Sequence, residues 1–502
     1  MIDRRSRTIA TIAVLVAMFL GAMDANIVST AMPTIIGLLG GISLYSWVFS
    51  IYLLFTTITV PIYGKMADLY GRKPTFMVGA GIFLLGSALC ASAQSMEQLI
   101  FFRAIQGIGG GCVIPISITI IGDMYTLQER AKMVAVFSAI WGLASVLGPA
   151  VGGFLTDYVS WRWTFLLNLP VGLIAMGMLW LTLHEHIEKR ARSIDYVGIA
   201  TLGVGAGLLM FAMLEGKRSF PSDSPWPLVM YVAAVAMLAL FIYAETRAAE
   251  PIIPLKLFRN RTIAASSVLA TVVGVVIFGT STFVPPFIQG VLGGTAVTAG
   301  IAGIVMSAGW FVASTAGGRV ILRLGFRSTG LAGAVCLITG SALLVRLSST
   351  STLNDIWLCM AILGLGLGLS SVTSLLSVQS AVDWRQRGVA TSSNQFFRTV
   401  GGTLGISVIG AVFNSSLADA LRAVAGAPQL DRANALLTEA GRQTLSAAEL
   451  LLLQAPLEEA LSRVYMVTLG VAAMGFIAGF FFPTGRPVEV AATVERSSSE
   501  SH

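Results

Sequence analysis

Thr8 to Met32 reads TIATIAVLVAMFLGAMDANIVSTAM, a run whose one formal charge is Asp24. As a helix rising about 1.5 Å per residue it reaches roughly 37 Å, more than the ~30 Å hydrocarbon core of a bilayer. In lipid every backbone N–H and C=O must be satisfied inside the segment, so the run is predicted to be a transmembrane helix. The carboxylate within it is the anomaly. Insertion scales put a central charge at about 2.5–3.5 kcal/mol, so Asp24 has to be paired, protonated or turned toward water, and each choice ties it to function unless it serves only as a helix–helix bond.

Applied along all 502 residues, the same length test predicts helices near 8–32, 44–63, 75–93, 97–121, 133–156, 163–183, 196–215 and 226–245, then 263–288, 296–318, 330–348, 355–378, 389–413 and 463–483. Composition agrees: 55% of residues are hydrophobic and 11% charged, and the 53 glycines are spread through the apolar runs, where small residues let helices approach closely. No small-residue cleavage site follows MIDRRSRT, so the first helix is expected to stay. Of the 32 Lys and Arg, 22 fall in segments on the N-terminal side and 8 on the other, with Arg103 and Arg398 inside spans. That bias places both termini in the cytoplasm. It also accounts for the net charge of +7 without nucleic acid, for which no motif is present.

Shifting the chain by 257 residues lays Gly107, Gly109 and Gly111 on Gly364, Gly366 and Gly368, Arg130 on Arg387, Gly148 on Gly405 and Gly153 on Gly410. Gly64 and Gly71 flank a basic loop as Gly318 and Gly325 do. The organisation expected is an N-terminal six-helix bundle over 1–190, two inserted helices over 191–262 and a C-terminal six-helix bundle over 263–502. The last contains an outer loop, 414–462, with apolar Leu417, Leu421, Val424, Leu450, Leu453 and Leu457 at helical spacing, read as an amphipathic hairpin packed on the outer rim.

Depth selects partners for Asp24. Arg103 lies about 9 Å into its helix and Asp24 about 12 Å below the same end of the first, while Arg398 lies roughly 13 Å from the opposite end of its own. Either arginine is placed to pair with it. In the loop Gly64-Lys-Met-Ala-Asp68-Leu-Tyr-Gly71-Arg72-Lys73-Pro-Thr, glycines allow a tight turn, basic residues anchor it, and Asp68 can accept N–H bonds at a helix start. The fifth helix carries Gly142, Ser145, Gly148, Pro149, Gly152 and Gly153, a small-residue face with a kink-permitting proline. Cys90, Cys112, Cys336 and Cys359 have neither disulfide nor metal spacing, and His184, His186 and His502 fall in loop or tail segments, so no metal site and no catalytic constellation is expected.

These stretches resemble the major facilitator superfamily, and within it the fourteen-span drug:proton antiporters. The carriers are Gly64 to Thr75, Leu99-Ile-Phe-Phe-Arg103-Ala-Ile-Gln106-Gly107-Ile-Gly109-Gly110-Gly111, Gly148-Pro149 with Gly152-Gly153, Met23-Asp24 with Ala31-Met32-Pro33, and Trp161-Arg162-Trp163 with Asn168-Leu-Pro170. The resemblance implies an all-α integral membrane fold of fourteen transmembrane spans, two six-helix bundles plus two inserted helices. It implies proton-coupled export of lipophilic or amphipathic compounds (multidrug efflux) by alternating access, with Asp24 as protonation site and Arg103 supporting coupling; Arg398 joins them as a coupling candidate on depth alone. Asp68, Arg72 and Asp123, with Gly64, Gly71, Lys73 and Arg130, would form a cytoplasmic gate that caps the thirteenth helix near Gly388. Leu322 stands where Asp68 would recur, so one latch is complete. Residues proposed to wall the cavity are Asn26, Trp141, Phe278, Phe283, Phe287, Met306, Trp310, Asn394 and Phe396. The partners expected are a small lipophilic solute, protons and membrane lipids, with no cofactor beyond the proton gradient, in a monomer of a bacterial cytoplasmic (inner) membrane. The close variant is an exporter of one lipid or endogenous metabolite; a membrane receptor or enzyme is the reading from another class.

Overall fold

The computed structural model describes residues 4–125, 127–183, 195–219, 224–248, 255–382, 387–425 and 434–484, apart from some side chains within those ranges. Among them there is helix and no strand. The long helices are α1 (Arg4–Leu39), α2 (Tyr45–Tyr70), α3 (Arg72–Ser92), α4 (Met96–Met124) and α5 (Leu127–Tyr158). A short α6 (Trp163–Leu166) leads into α7 (Asn168–Thr182), followed by α8 (Tyr196–Ser219), α9 (Trp226–Arg247), α10 (Arg261–Pro286), α11 (Ala296–Val345), α12 (Leu353–Ser380) and α13 (Arg387–Ala425). A short α14 (Glu439–Gln443) precedes α15 (Ala447–Gly479).

Twelve of these, among the described residues, are long and apolar enough to cross a membrane. That is two fewer than the fourteen expected. One of the twelve, α11, runs for 50 residues and is broken at Gly325 (φ 82°, ψ 172°), a conformation that side chains with a Cβ rarely adopt. Gly71 (φ 96°, ψ 158°) makes the corresponding break between α2 and α3. One turn later the same bond recurs: Thr75 Oγ1 donates to the Gly71 carbonyl at 2.7 Å and Thr329 Oγ1 to the Gly325 carbonyl at 2.9 Å.

Cα packing divides the chain into two units. The first holds residues 1–252, 288–304 and 429–453. Here α4 is wedged between α2 and α3 by its glycines: a Cβ on Gly107 would meet the Tyr52 carbonyl oxygen at 2.6 Å, one on Gly109 the Gly79 carbonyl oxygen at 2.6 Å, and one on Gly111 the Thr56 carbonyl oxygen at 2.7 Å. The inserted helix α8 packs on α2, burying Ala206, Met210 and Leu214 against Trp47 and Leu54. Its neighbour α9 leaves Leu228, Val229, Val232 and Val235 exposed, an apolar surface suited to lipid.

The second unit holds residues 253–287, 305–428 and 454–502. Its α12 repeats the wedge: a Cβ on Gly366 would meet the Leu337 nitrogen at 2.8 Å and one on Gly368 the Trp310 carbonyl oxygen at 2.5 Å, on the two sides of the α11 break. Helix α13 lies on α10, with Gly401 against Thr271 and Gly405 against Val275.

Several helices outrun the predicted spans: α1 continues to Leu39, α2 to Tyr70 and α13 to Ala425, while α5 begins at Leu127 and α15 at Ala447. The hydropathy test finds only the stretch that lipid demands be apolar, whereas helices continue beyond it on amphipathic faces. The hairpin expected over 414–462 is therefore replaced in large part by extensions of two spans, with Leu417, Leu421, Leu453 and Leu457 buried and Val424 exposed.

Candidate functional site

Asp24 is fully buried in the first unit, and so are the groups around it. Arg103 NH1 donates to its Oδ2 at 3.0 Å, and Gln106 Nε2 and Asn168 Nδ2 donate to its Oδ1 at 2.9 and 2.7 Å. Ser87 Oγ accepts from the same two amides at 2.8 and 3.1 Å. The Arg103 guanidinium is held from its other sides: NH1 reaches Gln106 Oε1 at 2.6 Å, Nε donates to the Val48 carbonyl at 3.3 Å, and the Tyr52 ring lies 4.0 Å below it. Four spans, α1, α3, α4 and α7, meet at one carboxylate, and α2 supports its arginine.

The local sequence explains the convergence. Arg103 and Gln106 are three apart on α4 and so share a face. That face descends to the Gly107–Gly111 ladder, where absent side chains bring α2 and α3 within reach. An ion pair taken out of water is tolerable only when its remaining hydrogen-bonding capacity is met, and here both carboxylate oxygens are occupied. Of the two arginines placed by depth, Arg103 is the partner. Arg398 lies in the second unit, half-buried on α13.

Gly71 makes the turn of the basic loop, whereas Gly64 is helical in α2 with no described atom within 4 Å of where a Cβ would stand, so only one of the two glycines is required by the turn. Arg72 donates to the Ala67 carbonyl at 2.9 Å, and Lys73 to the Trp180 carbonyl at 2.6 Å with its ammonium 4.7 Å from the Trp180 ring. The side chains of Asp68, Asp123, Arg130 and Trp141 lie outside the described residues, as do those near Gly388 and the three histidines. On α5 a Cβ at Gly148 would strike Asn26 at 2.7 Å and one at Gly152 the Ile27 carbonyl oxygen at 2.9 Å; Gly153 and Pro149 face the start of α11, at Ala296 and Gly300.

The residues read as cavity wall differ in their surroundings. Phe283 and Phe287 are fully buried, with ring centroids 5.3 Å from Phe413 and 6.3 Å from Tyr465. Met306 is buried, and the Asn394 amide is consumed by Ser374 Oγ at 2.7 Å and the Ser266 carbonyl at 3.3 Å. Asn26 bonds back to the Ala22 carbonyl at 2.9 Å. Phe278, Trp310 and Phe396 stay half-buried. Sequence reasoning missed Ser87 and Tyr52, which carry no motif, and had Asn168 only as part of a familiar Asn-Leu-Pro stretch. Among the described residues no three His, Cys, Asp or Glu side chains gather as a metal would require.

The profile of the Major Facilitator Superfamily matches residues 14–406. The multidrug transporter protein MdtP of Bacillus subtilis (strain 168) is 40% identical over 82% of this chain and 76% of its own length. Multidrug resistance protein 3 of the same organism is 36% identical over 84% of this chain and 83% of its own. Among solved structures, an inward-facing bacterial homolog of the human lysosomal transporter Spinster aligns over 96% of this chain and 98% of that one, with a TM-score of 0.67 at 17% identity, a likeness of fold. The chain belongs to the Major Facilitator Superfamily, a multi-pass membrane transporter and not an enzyme.

Proposed function

We propose that this protein is a proton-coupled antiporter that exports lipophilic or amphipathic compounds by alternating access. The observation that carries the reading is the sealed cluster on Asp24. A proton on Asp24 removes the charge that holds Arg103 and turns one acceptor oxygen into a donor, so the bonds stitching α1, α3, α4 and α7 must rearrange. A group whose protonation changes how four spans are tied together is a two-state element of the kind coupling requires. Each net charge moved is worth about 2.3 kcal/mol per 100 mV, so one proton suffices for modest gradients. The names of the Bacillus relatives support export of drug-like compounds.

We further propose fourteen spans, with α11 counted as two at its Gly325 break and α5 as one. The two units would serve as the moving bundles and α8 with α9 as the inserted pair. Both termini would be cytoplasmic, in a bacterial inner membrane, with the chain a monomer and the proton gradient its energy source. The test is purified protein in proteoliposomes under an imposed pH gradient. Wild type is expected to concentrate an amphipathic dye against its gradient, and Asp24→Asn to lose that uphill movement. Equal uphill transport by Asp24→Asn would sink the proton-site reading.

A further inference from the structure

In the first unit a carboxylate answers the buried arginine; in the second, none of the described carboxylates does. Arg398 stands about 16 Å along α13 from Arg387, within the span. It is half-buried, and among the described residues no hydrogen bond or ion pair reaches its guanidinium. The described acids of this unit are engaged elsewhere: Asp355 with Thr352, Asp419 with Arg422, Glu458 with the Ser349 N–H, and Glu459 with Arg463. Asp24, in the other unit, already has both oxygens occupied. A charge left unanswered inside a span is costly, and its usual reason is a solute or ion path.

What flanks Arg398 gives the character of that solute. Four residues on, and so on the same face of α13, Gly402 has no side chain, and the half-buried Phe278 ring of α10 lies over the space this leaves. Phe396 is half-buried nearby in sequence, with its ring 5.9 Å from Phe397. A planar guanidinium binds carboxylate, sulfonate or phosphate oxygens in pairs, and an aromatic face one turn away suits an apolar body.

We propose that Arg398 is the specificity-determining residue of this transporter: it selects solutes that carry an acidic group, which docks on the guanidinium while the apolar part lies along Phe278. The proposal rests on the export reading and names its substrate class, an amphipathic organic anion.

The probes are 8-anilinonaphthalene-1-sulfonate and N-phenyl-1-naphthylamine, which share an aromatic body and differ by the sulfonate. Binding is followed by fluorescence on the full chain in nanodiscs. Arg398→Gln is expected to weaken the sulfonate probe at least tenfold and to leave the uncharged one within twofold, which also reports that the variant is folded. Arg398→Lys should fall between. On wild type, naphthalene-1-sulfonate should displace the anionic probe and naphthalene should not, an arm that needs no variant. Equal weakening of both probes by Arg398→Gln, or equal displacement by both naphthalenes, overturns the proposal. Failure of the export reading looks different: wild-type proteoliposomes would move neither probe under a pH gradient while the binding contrast persisted.

Discussion

Helices α4 and α12 carry the same ladder of three glycines two apart and use it identically, the outer two against one neighbouring helix and the middle one against another. Above the ladder they part. Where α4 has Arg103 and Gln106, the 257-residue shift puts Met360 and Leu363 on α12, both buried, and Ser281 falls where Asp24 would recur. The glycines therefore belong to the architecture, which both copies need, while the ion pair was placed on one copy only. The same division runs through the loops: the Gly71 and Gly325 breaks match, but Leu322 replaces Asp68 and Phe326 replaces Arg72.

The largest effect should come from making α4 resemble α12. Arg103→Met leaves Asp24 buried without its cation and is expected to cost about 3–5 kcal/mol. Adding Asp24→Leu removes the stranded charge and should restore most of the loss, though not transport. Because Cys90, Cys112 and Cys359 are buried, a thiol-reactive dye reports unfolding once the half-buried Cys336 is replaced by alanine in every variant compared. Equal stability of the single and double variants would mean the pair does not hold the first unit as its geometry indicates.

Next in size, Gly109→Ala and Gly366→Ala test whether the ladders are equivalent. Each new Cβ meets backbone, at the Gly79 carbonyl oxygen (2.6 Å) and the Leu337 nitrogen (2.8 Å), where nothing flexible can yield. Overpacking of this kind costs about 1–3 kcal/mol, and the two variants should lose folded yield on size exclusion to a similar degree. Tolerance of one alone would break the comparison. Gly71→Ala and Gly325→Ala should each lose about 1–3 kcal/mol from positive-φ strain, read as a lower midpoint in the same dye assay.

How much of this was legible follows from the same division. Most spans could be read because lipid imposes length and apolarity, while depth along a helix narrowed the partner of Asp24 only to Arg103 or Arg398, and it is the fold that pairs it with Arg103. Ser87 could not, since a serine in an apolar helix ordinarily bonds its own backbone, and only the fold shows it shared between Gln106 and Asn168. The surroundings of Phe283 and Phe287 could not be read, because aromatic residues in a span look alike whether they face a cavity, lipid or Phe413. Helix ends were hidden for a different reason: outside the bilayer core nothing forces α13 or α15 to be uniformly apolar.

The smallest effect is also the sharpest test of the loop. Gly64 and Gly318 are both helical, and a Cβ at either meets no described atom within 4 Å. On packing alone, Gly64→Ala and Gly318→Ala should each be neutral or stabilising by up to about 1 kcal/mol, because alanine loses less backbone entropy in a helix than glycine. If Gly64→Ala raises the unfolding midpoint slightly, as Gly318→Ala does, and yet slows export in proteoliposomes while Gly318→Ala does not, the glycine serves a close approach made in another state of the cycle. If both leave transport unchanged, Gly64 is dispensable, and the loop's geometry rests on Gly71, Arg72 and Lys73.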